Sequence, residues 1–84
     1  MSSTTVAGPE FLRRRIQEQR ELPSPDARRQ LREACGLSVN DLAQSVGVTP
    51  AAVRQWERGE RAPRGELRRR YVEALRVLKE ATAS

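Results

Sequence analysis

Apolar residues recur at helical intervals along this chain, and proline, glycine and small polar residues break the intervals into segments. Leu12 and Ile16 stand four apart beside Phe11, predicting a short helix over 9–22 that Pro9 starts and Pro23 and Pro25 stop. Ser24, Pro25 and Asp26 make the next start: a capping hydroxyl, a proline at the first helical position and an acid in the first turn. Ala27, Leu31, Ala34 and Cys35 follow at i, i+4, i+7 and i+8, the expected inward face, and Gly36 closes the helix. Cys35 reads as a small core residue. From Glu66 onward Leu67, Tyr71, Ala74, Leu75 and Leu78 keep the same period, predicting an amphipathic helix of about three to four turns.

The centre of the chain carries two closely spaced helix starts. In the first, Ser38 caps, Asp41 takes the capping-box position, and Leu37 and Leu42 form a hydrophobic staple. Gly47 ends this helix after Val46. In the second, Val48 precedes a capping Thr49, Pro50 takes the first position, and Val53 is the staple partner of Val48. That helix ends near Gly59, and "ERAPRG" is a loop. Two strongly specified starts around one glycine turn also specify the angle between the helices. No strand alternation or solenoid repeat is present. The expected fold is all-α, a compact bundle of four to five short helices. Residues 1–8 read as a disordered tail, 9–23 as an N-terminal helical extension, 24–80 as the domain proper and 81–84 as a frayed end.

Composition narrows the chemistry. The chain has 84 residues, 16 basic against 11 acidic, and a net charge of +5. Fifteen of the basic residues are arginine, whose planar fork suits phosphate and base edges. From Arg54 to Arg70 there are seven arginines and three glutamates. This local excess of four positive charges points to a polyanionic partner. Histidine is absent and Cys35 is the single cysteine, so an intramolecular disulfide is excluded and a metal site is not expected. The longest apolar run is Ala51–Val53, too short for a membrane span or secretory signal; the expectation is a cytoplasmic, nucleoid-associated protein. Acidic residues occur only at caps and on helix surfaces, with no acid–base or nucleophile arrangement, so an enzyme is not expected. Neither a cofactor nor a small-molecule ligand is expected.

On a helical wheel Val53 and Trp56 point one way, while Ala51, Arg54, Gln55 and Arg58 share an arc of about 100° on the other side. Two short helices joined by a tight glycine turn fit the helix-turn-helix pattern, whose second helix enters the DNA major groove. A head of Pro50, Ala51 and Ala52 lets the backbone approach the groove floor, and alanine methyls suit thymine methyls. Arg54 has the fork for guanine and Gln55 the donor–acceptor pair for adenine, while Arg58 is placed for phosphate.

"GLSVNDLAQSVGVTPAAVRQWERGERAP", residues 36–63, resembles the lambda-repressor-like (Cro/C1, Xre-type) helix-turn-helix family in the spacing and identity of "GLS", "DLA", "GV", Val53 and "WERGERAP". The likeness extends more loosely back to Arg32. It implies phosphate contacts at Ser38 and Val39 with Asn40 beside them, and base-reading positions at or beside Thr49, Pro50, Ala51, Ala52, Arg54 and Gln55. It implies backbone contacts at Arg58 and Arg61, and a salt bridge between Arg32 and Glu57. Val39 departs from the family's frequent glutamine, and Pro50 and Ala51 replace residues that often bond to bases. Direct readout at the helix head is correspondingly weaker. The function so implied is a sequence-specific double-stranded DNA-binding transcription regulator, a small repressor of phage, plasmid or antitoxin type, reading the major groove with helix 49–58. The C-terminal helix is the candidate homodimer surface through Tyr71, Leu75 and Leu78, or equally the lid of a small core, with exposure of Val72 and Val77 the sign of an interface. The alternative is a protein-interaction module, an antitoxin or a polymerase- or regulator-binding adaptor, using the same scaffold and the N-terminal helix.

Overall fold

Residues 8–83 are described by the structure, a computed structural model. The expected tail at 1–7 and the last residue, 84, lie outside the described residues; Gly8 already belongs to the first helix. Five α-helices follow in order: α1 Gly8–Glu21, α2 Pro25–Ala34, α3 Val39–Val46, α4 Pro50–Glu57 and α5 Gly65–Thr82. Among the described residues there is no strand. Among the described residues no helix is long and apolar enough to cross a membrane.

The starts read from sequence at Ser24, Ser38 and Thr49 are observed, while α1 and α5 each begin one residue earlier than expected, at Gly8 and Gly65. Ser24 Oγ accepts the Ala27 N–H at 3.2 Å ahead of Pro25. Ser38 and Asp41 form a reciprocal capping box, Asp41 N–H to Ser38 Oγ at 3.0 Å and Ser38 N–H to Asp41 Oδ2 at 2.8 Å. These backbone and side-chain bonds from Ser38 hold the Asp41 carboxyl below its ordinary value. Thr49 Oγ1 accepts the Ala52 N–H at 3.2 Å ahead of Pro50. Gly47 sits between α3 and α4 at φ 86°, in the left-handed region, and its N–H closes α3 on the Ala43 carbonyl at 2.8 Å.

The core is Leu42, Ala43 and Val46 from α3, Val53 and Trp56 from α4, and Tyr71, Leu75 and Leu78 from α5. Trp56 and Tyr71 stack at a tilt of 39°, ring centroids 4.7 Å apart, an aromatic pair of the kind worth about 0.5–1.5 kcal/mol beyond its buried area. Tyr71, Leu75 and Leu78 are therefore not a surface for a second copy. They face inward because the i, i+4, i+7 stripe of α5 is the stripe that closes the core. Val77 is left outside at 54% exposure, and Val72 is half-buried.

Two further expectations are corrected. The last helix is 18 residues long rather than three to four turns, and it runs through Ala81 and Thr82. No glycine or proline interrupts it after Gly65, and Thr82 Oγ1 donates to the Lys79 carbonyl at 3.0 Å. In α2 the inward stripe is rotated. Leu31 and Cys35 do pack on the core, but Ala34 is exposed, and the buried residues are Arg28 and Arg32. The observed stripe is 28, 31, 32 and 35.

The first helix, α1, buries no residue. It is tied to the body at its C-terminal end, where Arg68 of α5 bonds Glu21 at 3.4 Å, Lys79 Nζ donates to the Arg20 carbonyl, and Leu22 packs against the core.

Replacing Gly47 by alanine forces an L-residue into φ 86° and sets its Cβ 3.3 Å from Arg70 Nη1, a flexible end that can move. The backbone strain remains, so Gly47→Ala should cost about 1–2 kcal/mol, a fall in Tm on the order of 10 °C in thermal unfolding followed by circular dichroism.

Candidate nucleic-acid interface

The outer surface of α4 and the loop behind it is built by capping at one end and by arginine clamps at the other. Thr49 and Pro50 fix the head of the helix. At its tail the chain turns off through three bonds: Arg58 N–H to the Arg54 carbonyl, Gly59 N–H to the Trp56 carbonyl and Glu60 N–H to the Gln55 carbonyl, at 3.0, 3.2 and 2.9 Å. Pro63 is buried beyond this turn, which holds the 58–64 loop against the globule.

Behind the surface, Arg32 makes the ion pair expected with Glu57. Its Nε and Nη2 donate to the two carboxylate oxygens at 2.8 and 2.9 Å, and its Nη1 donates to the Leu37 carbonyl at 2.9 Å. One guanidinium thus ties α2 to the end of α4 and to the entry of α3. The bidentate bond to Glu57 raises the Arg32 pKa against the opposing effect of burial. Arg28, unremarked in the sequence, lies one turn earlier. Its Nη2 donates to the Trp56 carbonyl at 3.1 Å, and its guanidinium carbon stands 5.6 Å from the centre of the Tyr71 ring. Burial lowers the Arg28 pKa, and it pushes the Tyr71 phenol up to about 12 against the pull of that cation.

In front, Ser38, Asn40, Thr49, Ala51, Arg54, Arg58 and Arg61 are exposed. Val39, Pro50, Ala52 and Gln55 are half-buried; Val39 and Ala52 pack against the core. Gln55 is thus not fully on the outer arc. It lines a groove of 610 Å³ with Arg61, Arg64 and Leu67, between α4 and the start of α5. The cap hydroxyls of Ser38 and Thr49 accept backbone N–H groups, which leaves their own hydrogens to donate outward.

Charge pairing sets this surface apart from α5; on α1, Arg14 and Arg20 are likewise without a carboxylate partner among the described residues. On α5, Arg69 and Arg70 both pair with Glu66, and Arg76 pairs with Glu73 and Glu80. On α1, Arg13 pairs with Glu10 and Arg15 with Glu18, and on α2 Arg29 pairs with Asp26. Arg54, Arg61 and Arg64 have no carboxylate partner among the described residues, and Arg58 reaches Glu60 only at 3.9 Å. Arg64 was not singled out in the sequence, where it is one of seven arginines from Arg54 to Arg70. The signal for it is the lack of any acidic residue three or four positions away other than Glu60.

A family model described as helix-turn-helix matches residues 29–79, and the chain belongs to that family, the lambda-repressor-like (Cro/C1-type) helix-turn-helix proteins. These are DNA-binding regulators, and α3, the Gly47 turn and α4 are the corresponding elements in this chain. No curated protein and no solved structure matches it.

The Arg32 and Glu57 side chains are only 11% and 6% exposed. Glu57→Ala therefore strands a buried guanidinium and should cost about 3–5 kcal/mol in denaturant unfolding. Combining Arg32→Met with Glu57→Leu should recover most of that loss, because both charges then leave together.

Proposed function

We propose that this protein is a sequence-specific regulator of transcription that lays α4 in the major groove of double-stranded DNA, acting as a small repressor of phage, plasmid or antitoxin type. The observation that carries the reading is the cluster of arginines without carboxylate partners on one edge, Arg54 on α4 with Arg61 and Arg64 on the loop, beside an α5 whose four arginines are each paired with a glutamate. An arginine paired at i±3 or i±4 has its fork occupied; one left open keeps both donors for phosphate or for guanine.

The roles follow from placement. Arg54, exposed one turn into the helix, reaches base edges, and the methyl of Ala51 meets the groove floor. Gln55 reads a base from the side of its groove. Thr49, Ser38 and Asn40 donate to phosphates at the two helix heads, near which Val39, Pro50 and Ala52 shape the backbone approach. Arg58, Arg61 and Arg64 hold the sugar–phosphate backbone. A homodimer on a two-fold site fits the reading, with half-sites about 34 Å apart. Its surface on α5 is then the exposed Val77 side, next to the groove over Leu37, Leu42 and Ala74, and not Tyr71, Leu75 and Leu78.

A second reading, a protein-interaction module, is favoured by α1, where Phe11, Leu12 and Ile16 stand exposed on a helix that buries nothing. It is separable, since replacing Leu12 and Ile16 by serine then leaves DNA affinity unchanged.

The test is selection of bound duplexes from a random pool, then titration of the selected and a random duplex across salt. The selected site should bind at least a hundredfold tighter. Arg54→Ala should cost about 1–3 kcal/mol on the selected site alone. Arg61→Ala and Arg64→Ala should weaken both duplexes and lower the slope of log K against log salt by about 0.9 each. Equal affinity for the two duplexes, or indifference to Arg54→Ala, refutes the reading.

A further inference from the structure

Arg28 is 5% exposed and cannot touch a ligand outside the globule. Moving a cation that far from water costs several kcal/mol unless its donors are matched. They are matched only in part: Nη2 has the Trp56 carbonyl, the Tyr71 face lies beneath the guanidinium, and Nε has no hydrogen-bond partner. A methionine would fill much of the same volume without that cost, so stability does not account for the residue.

What Arg28 holds is more informative than what it costs. The Trp56 carbonyl also accepts the Gly59 N–H that turns the chain out of α4. Arg54 and Arg58 lie two residues to either side of Trp56. Arg32 grips the next residue, Glu57, by its side chain. Two guanidinium groups of α2 therefore take hold of consecutive residues at the end of α4, one through the main chain and one through the carboxylate. The main-chain grip fixes the roll of the last turn in a way that a side-chain pair, free to swivel about its own rotamers, does not.

We infer that Arg28 is a positioning residue for the interface: it sets the roll and tilt of the last turn of α4 against α2 and α5, and with it the direction of Arg54 and Arg58. The inference rests on the DNA-reading role of α4. It makes discrimination between DNA sites, rather than stability or general affinity for DNA, the property that Arg28 controls.

The experiment uses the full chain with Arg28→Met and Arg28→Lys. It measures Tm, amide hydrogen exchange at Arg58, Gly59 and Glu60, and affinity for the selected and a random duplex at one salt concentration. Arg28→Met should keep or raise Tm, lose about tenfold of the protection at these three amides, and lose about tenfold on the selected duplex, with the random duplex within about twofold. Arg28→Lys keeps the charge but not the planar fork, and should lose the same discrimination. Native protection in Arg28→Met, a native ratio between the duplexes, or a steep fall in Tm in both variants overturns the inference. If the parent protein does not distinguish the two duplexes, the DNA-reading proposal fails, and amide protection alone then decides whether Arg28 positions α4.

Discussion

Two arginines inside the bundle hold the helix-turn-helix in place. The core is small, and α2 adds no fully buried apolar side chain to it; Leu31 and Cys35 only lean against its edge. α2 also rests on α5, where Cys35 Sγ lies 3.7 Å from the Leu78 carbonyl, and what joins it to α4 is the pair of guanidinium groups directed at the end of that helix. That end is where acceptors gather: the last carbonyls of a helix lack intrahelical partners and carry the negative pole of its dipole. Trp56 offers such a carbonyl, Glu57 adds a carboxylate, and Leu37 presents one more carbonyl where α3 is entered. Each arginine thereby does by directed bonds what a leucine does by contact, with a defined geometry added.

The pattern of helix starts and stops was legible in the sequence because it rests on local chemistry. Ser24, Ser38 and Thr49 cap what they were expected to cap, Pro25 and Pro50 sit at the first turn, and Gly47 makes the bend. The inward face of α4 and the apolar stripe of α5 were legible too, since Val53, Trp56, Tyr71, Leu75 and Leu78 are apolar at the right spacing. The face of α2 was not. Its true stripe includes two arginines, and a reading that seeks apolar residues rotates to Ala27 and Ala34 instead. Arg32 came within reach only through its partner in the family pattern. Nothing local marks Arg28, because what makes it inward is a carbonyl 28 residues away. Whether Tyr71, Leu75 and Leu78 met the core or a second copy was left open for a related reason: periodicity shows that a stripe exists but not what covers it.

At the interface, the sequence showed an excess of arginine but not which arginines were free. That depends on neighbours at helical spacing. Glu66 faces Arg69 and Arg70, and Glu73 faces Arg76, so α5 is cationic in composition and largely balanced in place. Such exposed pairs contribute little to stability. Their effect here is distributive, confining open positive charge to chosen parts of the surface. Gln55 shows the opposite limit: the wheel turned it outward, and the loop after α4 covers part of it.

The head of α4 has a consequence of its own. A helix tip usually draws anions because several peptide N–H groups point out of it together. Here proline removes one of them, and the Thr49 hydroxyl occupies another, that of Ala52. The tip is electrically blunt. Fewer peptide N–H groups are then left to hold an anion end-on, and the Thr49 hydroxyl is the donor that remains at the head of this eight-residue rod about 12 Å long.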